Sequence, residues 1–431
     1  MTEIYINFDQ NVGRVKLMHG VGQPPFVGTN FDMVRYLKDA GIPFSRLHDV
    51  GGRYGSMVYV DVENIFRNFD ADENDPASFD FAFTDKLITA LIQNGVEPFY
   101  RLGATIENDH RIKAYHIFPP RDNLKWARIC AGIIRHYTEG WADGFHYQIR
   151  YWEIWNEPDN EEKIEDNPQW KGTKEQFYEL YATAATYLKK EFPHLKIGGY
   201  GSCGFYALDN GLVSEANSSM RMDYFITFFE KFLEFVRERK APLDFFSWHS
   251  YSGVEQNKVY TRYARETLDR FGFTETETFC NEWNPEVRTR GTAHHAAVIA
   301  KMMMMFAESQ LDGAMFYDAR YGISIYGSLF EPLTAKPFPA YYSFVAYNQL
   351  YTLKNRVYTQ WDDNRLYCMA VAGERKCLML ANDSDEDIAI KLVSGELLNS
   401  CVLISSTKMM EPVAFENCIP ANSVMLLEFQ K

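Results

Sequence analysis

The amino-acid sequence predicts an α/β fold: a closed (β/α)8 (TIM) barrel followed by a small C-terminal β-sandwich. Three observations carry this expectation. Short apolar runs alternate with amphipathic stretches from about residue 14 to residue 350, the pattern of a parallel sheet with helical crossovers. Eight runs of each kind can be counted over that span, the number a closed barrel requires. After about residue 351 the pattern changes to short strands separated by turn residues. The barrel is therefore expected over 14–350 and the sandwich over 351–431. Whether residues 1–13 add a strand to the sandwich is left open.

The strand candidates are 15–21, 44–48, 96–102, 151–156, 196–201, 244–250, 277–282 and 313–317. Between and after them apolar residues recur every three or four positions over 31–40, 85–94, 123–137, 174–192, 224–239, 260–271, 293–309 and 340–350, which predicts helices. Gly41 and Gly95 follow two of these helices at positions suited to a left-handed cap, with Pro43 and Pro98 close behind. The connections after the second, fourth and fifth barrel strands exceed the usual span of about two to six residues and are expected to wall a cleft. In the tail, strands are expected over 366–371, 377–380, 388–392 and 424–429, with a loop at 382–385. Met302 to Met305 sit inside a helical pattern and are read as core packing.

Composition excludes several functions. The 431 residues hold 44 basic and 58 acidic side chains, a net charge of -14, which argues against nucleic acid or an anionic membrane as partner. No stretch reaches the roughly 20 apolar residues a membrane helix needs. The first twenty residues carry Glu3, Asp9, Arg14 and Lys16 and no apolar run suited to a signal peptide, so a cytoplasmic protein is expected. Seven scattered cysteines without a C-x-x-C pair are read as reduced and structural. His294-His295 lacks neighbours at ligand spacing, and there is no glycine-rich phosphate loop, so neither a metal nor a cofactor is expected. Composition leaves the oligomeric state open, a homo-oligomer included. Aromatic residues make up 16% of the chain, which fits a well-filled core and also a cleft that packs against pyranose rings.

In a barrel of this type the active site forms at the carboxyl ends of the strands. Two such ends carry glutamates. The fourth strand finishes in Glu153-Ile154-Trp155-Asn156-Glu157-Pro158-Asp159, and the seventh in Phe279-Cys280-Asn281-Glu282-Trp283. Two carboxyl groups facing each other across a barrel mouth supply the proton donor and the nucleophile or base that glycosidic bond cleavage needs. Glu153, deeper in its strand, is read as an internal ion-pair partner of an arginine.

This arrangement resembles the clan of retaining (β/α)8 glycoside hydrolases, and the segment from Glu153 to Asp159 most resembles glycoside hydrolase family 39, the family of β-xylosidases and α-L-iduronidases. The resemblance implies Glu157 as acid/base, with a raised pKa, and Glu282 as nucleophile. It further implies that Asn156 binds the sugar 2-hydroxyl, and that Arg46 and His48 form a basic pair near the nucleophile. His249 and Tyr251 would contact sugar hydroxyls and orient Glu282. Trp283, Tyr317 and Tyr321 are expected to line the sugar site, Tyr317 standing where the clan often places a Trp. The chain has Arg150-Tyr151-Trp152-Glu153 where the family usually reads Trp-x-Phe-Glu.

The acidic run 159–166 directly follows Glu157 and would repel uronic acids if it rims the cleft. A retaining exo-β-xylosidase acting on neutral oligosaccharides is therefore the leading expectation. An arabinosidase, a galactosidase or an endo-glycanase stays open, with α-L-iduronidase less favoured. A catalytically silent carbohydrate-binding barrel is the competing reading from another class.

Overall fold

The computed structural model describes residues 1–430 apart from 26, 28–31, 51–58, 210, 211, 214–218, 323, 324 and 328. β1 (Thr2–Arg14) leads into β2 (Leu17–Gly22), the first of eight parallel strands. β3 (Phe44–Leu47), β4 (Glu97–Leu102), β5 (Tyr151–Ile154) and β6 (Lys196–Ser202) follow. After a short hairpin of β7 (Leu208–Asp209) and β8 (Leu212–Val213) come β9 (Phe245–Ser250), β10 (Glu277–Trp283) and β11 (Gly313–Phe316). The eight close into a barrel in the order β10-β11-β2-β3-β4-β5-β6-β9. All eight expected runs fall on these strands.

The helices are α1 (Arg35–Asp39), α2 (Val62–Ile65), α3 (Ala82–Gln93), α4 (Asn123–Thr138), α5 (Lys174–Glu191), α6 (Met220–Glu238), α7 (Val254–Arg270), α8 (Ala293–Glu308) and α9 (Pro339–Leu353). The expected first helix, 31–40, is trimmed to α1, and Phe31 lies outside the described residues. α7 starts at Val254 rather than Tyr260, because its first turn is polar and hides the apolar period that marks the rest. Gly41 and Gly95 take φ of 64° and 75°, the left-handed conformation that glycine reaches without a Cβ clash. Met302 to Met305 are buried in α8.

Side chains alternate along a strand, so every second residue of a barrel strand faces the axis. The lowest layer is aromatic: Phe44, Phe99, Tyr151, Phe245 and Phe279 pack with Met315. Two residues further along their strands stand Arg46, Glu153, Ser247 and Asn281, which hydrogen-bond to one another across the barrel. The interior thus turns from apolar to polar as it rises toward the carboxyl ends. That polar layer is the base of the site.

The tail forms β12 (Asn355–Gln360), β13 (Leu366–Ala372), β14 (Lys376–Asn382), β15 (Ile388–Val393), β16 (Leu398–Ile404), β17 (Met409–Pro412), β18 (Cys418–Ile419) and β19 (Ser423–Phe429). These strands and β1 make a nine-stranded sheet ordered β17-β16-β19-β14-β13-β12-β1-β15-β18. β1 runs antiparallel to β12 and parallel to β15. An apolar cluster including Ile4, Ile6, Leu378, Ile390, Cys401 and Leu427 draws on strands from both halves of the sheet, the common core of a sandwich-like sheet. β13, β14 and β19 also pack against α8, and β13 and β14 against α9, which ties the sheet to the barrel. The seven cysteines are unpaired, and six of them are buried. Among the described residues no helix is long and apolar enough to cross a membrane.

Candidate active site

Glu157 stands three residues past the end of β5. Trp155 and Glu157 both adopt positive φ, 72° and 44°, so the chain turns sharply as it leaves the strand. Such backbone in residues other than glycine is uncommon and is held here by its surroundings. The Trp155 ring is buried with Nε1 donating to the carbonyl of Gln169, and the Glu157 amide donates to the carbonyl of Gly201 at 2.9 Å. Gly201 itself has φ 62°, and a Cβ there would lie 3.0 Å from Arg46 and 3.1 Å from His249. The bare backbone lets these two side chains close over it.

Glu282 enters from β10, on the other side of the mouth. Its Oε2 accepts from Arg46 at 3.1 Å, and its Oε1 accepts from the Tyr251 hydroxyl at 2.5 Å. Arg46 divides its guanidinium among three partners: Nε to Glu153 at 2.8 Å, one terminal nitrogen to Glu282, the other to Asn156 at 2.6 Å. Glu153, fully buried, also accepts from Ser247 and Asn281, both at 2.6 Å. His249 Nδ1 lies 2.8 Å from Glu157 Oε1 and 3.7 Å from Glu282 Oε2, and Asn160 donates to the other Glu157 oxygen at 2.9 Å.

Ligand atoms of Glu157, His249 and Glu282 lie within 4.8 Å of one another, a spacing a cation could use. The positive charge in that space is already supplied by Arg46, so the side chains present do not call for a metal.

Burial pushes the Glu157 carboxyl up. The hydrogen bond and charge of His249, with the Asn160 bond and the Arg46 charge, outweigh it and hold Glu157 below the ordinary carboxylate value. Burial and the Glu157 charge lift Glu282 above that value, against the pull of His249, Arg46 and Tyr251. Burial lowers His249, but Glu282 and Glu157 more than reverse this, so the imidazole keeps its proton to higher pH than usual. The expected raised pKa of Glu157 is thus not found: its carboxyl is held low. The cause is the 2.8 Å bond to His249, which a strand-end motif does not reveal. His48 is driven the other way: burial first, then the charges of Arg101 and Arg46, keep it neutral.

The structure brings Glu157, Glu282, Asn156, Arg46, His249 and Tyr251 into one hydrogen-bonded cluster. His48 is buried beside Asp49, with Nε2 3.2 Å from Oδ1. Tyr317 donates to Asp49 Oδ2 at 3.1 Å, and Tyr321 is half-buried against the main apolar core. Trp283 does not line the cleft. It follows Glu282 on the strand, and its buried ring packs between Phe306 of α8 and Phe316 of β11 in the helix layer. Parts of the connections after the second and fifth barrel strands, 51–58, 210, 211 and 214–218, lie outside the described residues, as does part of the cleft wall expected there. Sequence reasoning missed Gln23, Asp49, Asn160 and Tyr326. Asp49 directly follows His48 at a strand end and was legible from that position. Tyr326, whose ring packs on both Tyr251 and Tyr317, lies in a loop with no periodic signal.

The profile of glycosyl hydrolases family 39 matches residues 53–309, a span that includes both glutamates. The chain belongs to glycosyl hydrolases family 39. This chain is also similar to curated relatives. One is a β-xylosidase of Geobacillus stearothermophilus, 26% identical over 230 residues that cover 51% of this chain and 40% of that protein. Another is a β-xylosidase of Caldicellulosiruptor saccharolyticus, 26% identical over 207 residues, 46% of this chain and 36% of that protein. The matches span less than half the length of these relatives. Among solved structures, a glucosidase from Croceicoccus marinus superimposes with a TM-score of 0.78 at 19% identity, covering 100% of this chain and 99% of that one. A monomeric β-xylosidase from Caulobacter crescentus CB15 gives 0.69 at 16% identity, with 100% and 99% covered. These likenesses extend the shared fold over the barrel and the C-terminal sheet together.

Proposed function

We propose that this chain is a retaining exo-β-xylosidase that cleaves neutral xylo-oligosaccharides by double displacement. The observation that carries the reading is the carboxylate spacing: an oxygen of Glu157 within 4.8 Å of one of Glu282. Retaining pairs stand about 5–5.5 Å apart, whereas inverting pairs keep roughly 6.5–9.5 Å to admit a water. Glu282 attacks the anomeric carbon, held as a carboxylate and aimed by Arg46 and Tyr251. Glu157 protonates the glycosidic oxygen, and the proton reaches it along the hydrogen bond from His249 Nδ1, whose imidazole keeps its proton to higher pH than usual. Glu157, again a carboxylate, then takes a proton from the water that releases the sugar. Asn156, fixed by Arg46, presents its amide to the 2-hydroxyl.

The names of the two curated relatives support xylose. Of the acidic run 159–166, Asp159 is buried, and the exposed charges of Glu162 and Glu165 support a neutral sugar over a uronic acid. The test is initial rates on aryl glycosides: β-D-xyloside, α-L-arabinoside, β-D-galactoside, β-D-glucoside and α-L-iduronide, for wild type and Glu282→Ala. Expected are a preference for the xyloside, its loss in the variant, and azide rescue that yields a product of inverted configuration. An inverted sugar from the wild type, followed by NMR, would refute the retaining assignment.

A further inference from the structure

Three adjacent barrel strands, β11, β2 and β3, end in a polar group that the catalytic scheme does not use. Gln23 follows β2, Asp49 follows β3 by two residues, and Tyr317 follows β11 directly. Gln23 Nε2 donates to the Tyr317 hydroxyl at 2.5 Å, and that hydroxyl donates to Asp49 Oδ2 at 3.1 Å. We propose that Asp49, held in place by Gln23 and Tyr317, is a specificity-determining residue that hydrogen-bonds the ring hydroxyls of the sugar attacked by Glu282. The assignment rests on the glycosidase reading above and extends it to the substrate's far edge.

Unspent hydrogen-bonding capacity is the first support. Gln23 is 1% exposed and His48 4%, yet Gln23 Oε1 and His48 Nδ1 find no hydrogen-bond partner among the described residues, and Asp49 Oδ1 stands 3.2 Å from His48 Nε2 without a hydrogen bond between them. Buried polar atoms are nearly always paired, and a group of orphans on one wall is what a polyol would satisfy. The Asp49 side chain is 16% exposed, so the wall is reachable from the cleft.

Position is the second support. Asp49 stands three residues past Arg46, which binds the nucleophile Glu282 at 3.1 Å, and burial with the neighbouring Glu282 charge pushes its carboxyl up to about 7. Glu157 comes from β5, across the mouth. Because the acid must meet the leaving-group oxygen, the leaving group lies on the Glu157 side, and the hydroxyl edge of the retained sugar faces the β11-β2-β3 wall. A sugar hydroxyl can accept from a protonated Asp49 or donate to Oδ1 and to Gln23 Oε1. A sugar carboxylate placed on this wall would meet the carboxyl groups of Asp49 and Glu282, which favours a neutral substrate.

The experiment compares wild type, Asp49→Asn and Asp49→Ala on para-nitrophenyl β-D-xyloside and β-D-glucoside and on the 3-deoxy and 4-deoxy analogues of each. Wild type is expected to lose about 10- to 100-fold in kcat/KM on one deoxy analogue, the worth of a hydrogen bond to a charged or buried group. In Asp49→Ala that loss should shrink to within about threefold, the parent glycoside having fallen to the level of its analogue. Asp49→Asn, which keeps shape and hydrogen bonding, should retain part of the discrimination and guards against a folding defect in the alanine variant. An equal deoxy penalty in wild type and both variants overturns the role of Asp49 while the glycosidase reading stands. No turnover of any glycoside by wild type overturns the reading and this assignment together.

Discussion

Arg46 binds three groups with three different nitrogens, and only a planar guanidinium can do so. Removing it leaves Glu153 buried with hydroxyl and amide partners but no countercharge. Arg46→Met is therefore expected to lower stability by about 3–5 kcal/mol, read from urea unfolding, with activity lost as Glu282 and Asn156 come free. Proton placement sets the pH profile. The rate needs Glu282 ionised and the His249–Glu157 pair protonated. The acid limb of kcat/KM should lie above the ordinary carboxyl value of 4.5, and the alkaline limb above the ordinary histidine value of 6.5. A plot with its acid limb below 4.5 would contradict this. Asp159 makes a separate prediction. It is fully buried, and burial raises its carboxyl to about 7, against hydrogen bonds from Ser202 and Cys203. A folded pKa above the unfolded one means the native state holds the extra proton, so this contribution is complete below about pH 4 and is lost as pH rises through 7. Moving one carboxyl from 3.8 to about 7 is worth on the order of 4 kcal/mol across that window. Asp159→Asn should flatten the fall of melting temperature between pH 4 and pH 8 by that share.

At the scale of elements, the barrel wall depends on backbone contact that side chains would prevent. A Cβ on Gly198 of β6 would stand 2.1 Å from the Phe245 carbonyl of β9 and 2.7 Å from its ring. Gly198→Ala must therefore spread β6 from β9, at a cost of about 1–3 kcal/mol or more, and should lower the melting temperature. A cap offers a graded comparison. Thr173 and Gln176 close a reciprocal box at the start of α5, with bonds of 3.2 and 2.8 Å. Thr173→Ala should cost only about 1 kcal/mol by the same denaturation measurement. The strands themselves are legible because each is a short, mainly apolar run bounded by turn residues and amphipathic helices. The start of α7 was not, because a polar first turn carries no period. β16 escaped as well: Asn399 and Ser400 are exposed and Leu398 only half-buried, which leaves too weak an alternation to read.

For the whole molecule, the decisive contact is β1. It sits between β12 and β15, so residues more than 340 positions apart share one ladder. The opposite face of the sheet packs on α8 and α9 and contributes Met369, Met379 and Leu426 to the same apolar cluster that fills the barrel's helix layer. Barrel and sheet should therefore unfold as one unit, giving a single calorimetric transition. A chain lacking residues 1–14 exposes the edges of β12 and β15 and is expected to aggregate or melt well below wild type. Two separated transitions in the intact protein would refute this coupling.

By itself the sequence determined the barrel, its eight strands, and the two strand ends that carry Glu157 and Glu282, because period and strand-end position are local properties of the chain. Tertiary structure decided the rest. It turned Trp283 into the helix layer, since a register shift between Cys280 and Glu282 interrupts the alternation of β10, so that Asn281 and Glu282 both face inward and Trp283 faces out. It gave the resting proton to His249 instead of Glu157, since that depends on 2.8 Å between residues 92 positions apart. It gathered Gln23, Asp49 and Tyr317 into one wall, since barrel closure makes neighbours of β11 and β2, which lie at opposite ends of the barrel sequence. Local pattern encodes which segments become strands, and only the closed sheet decides which of their ends meet.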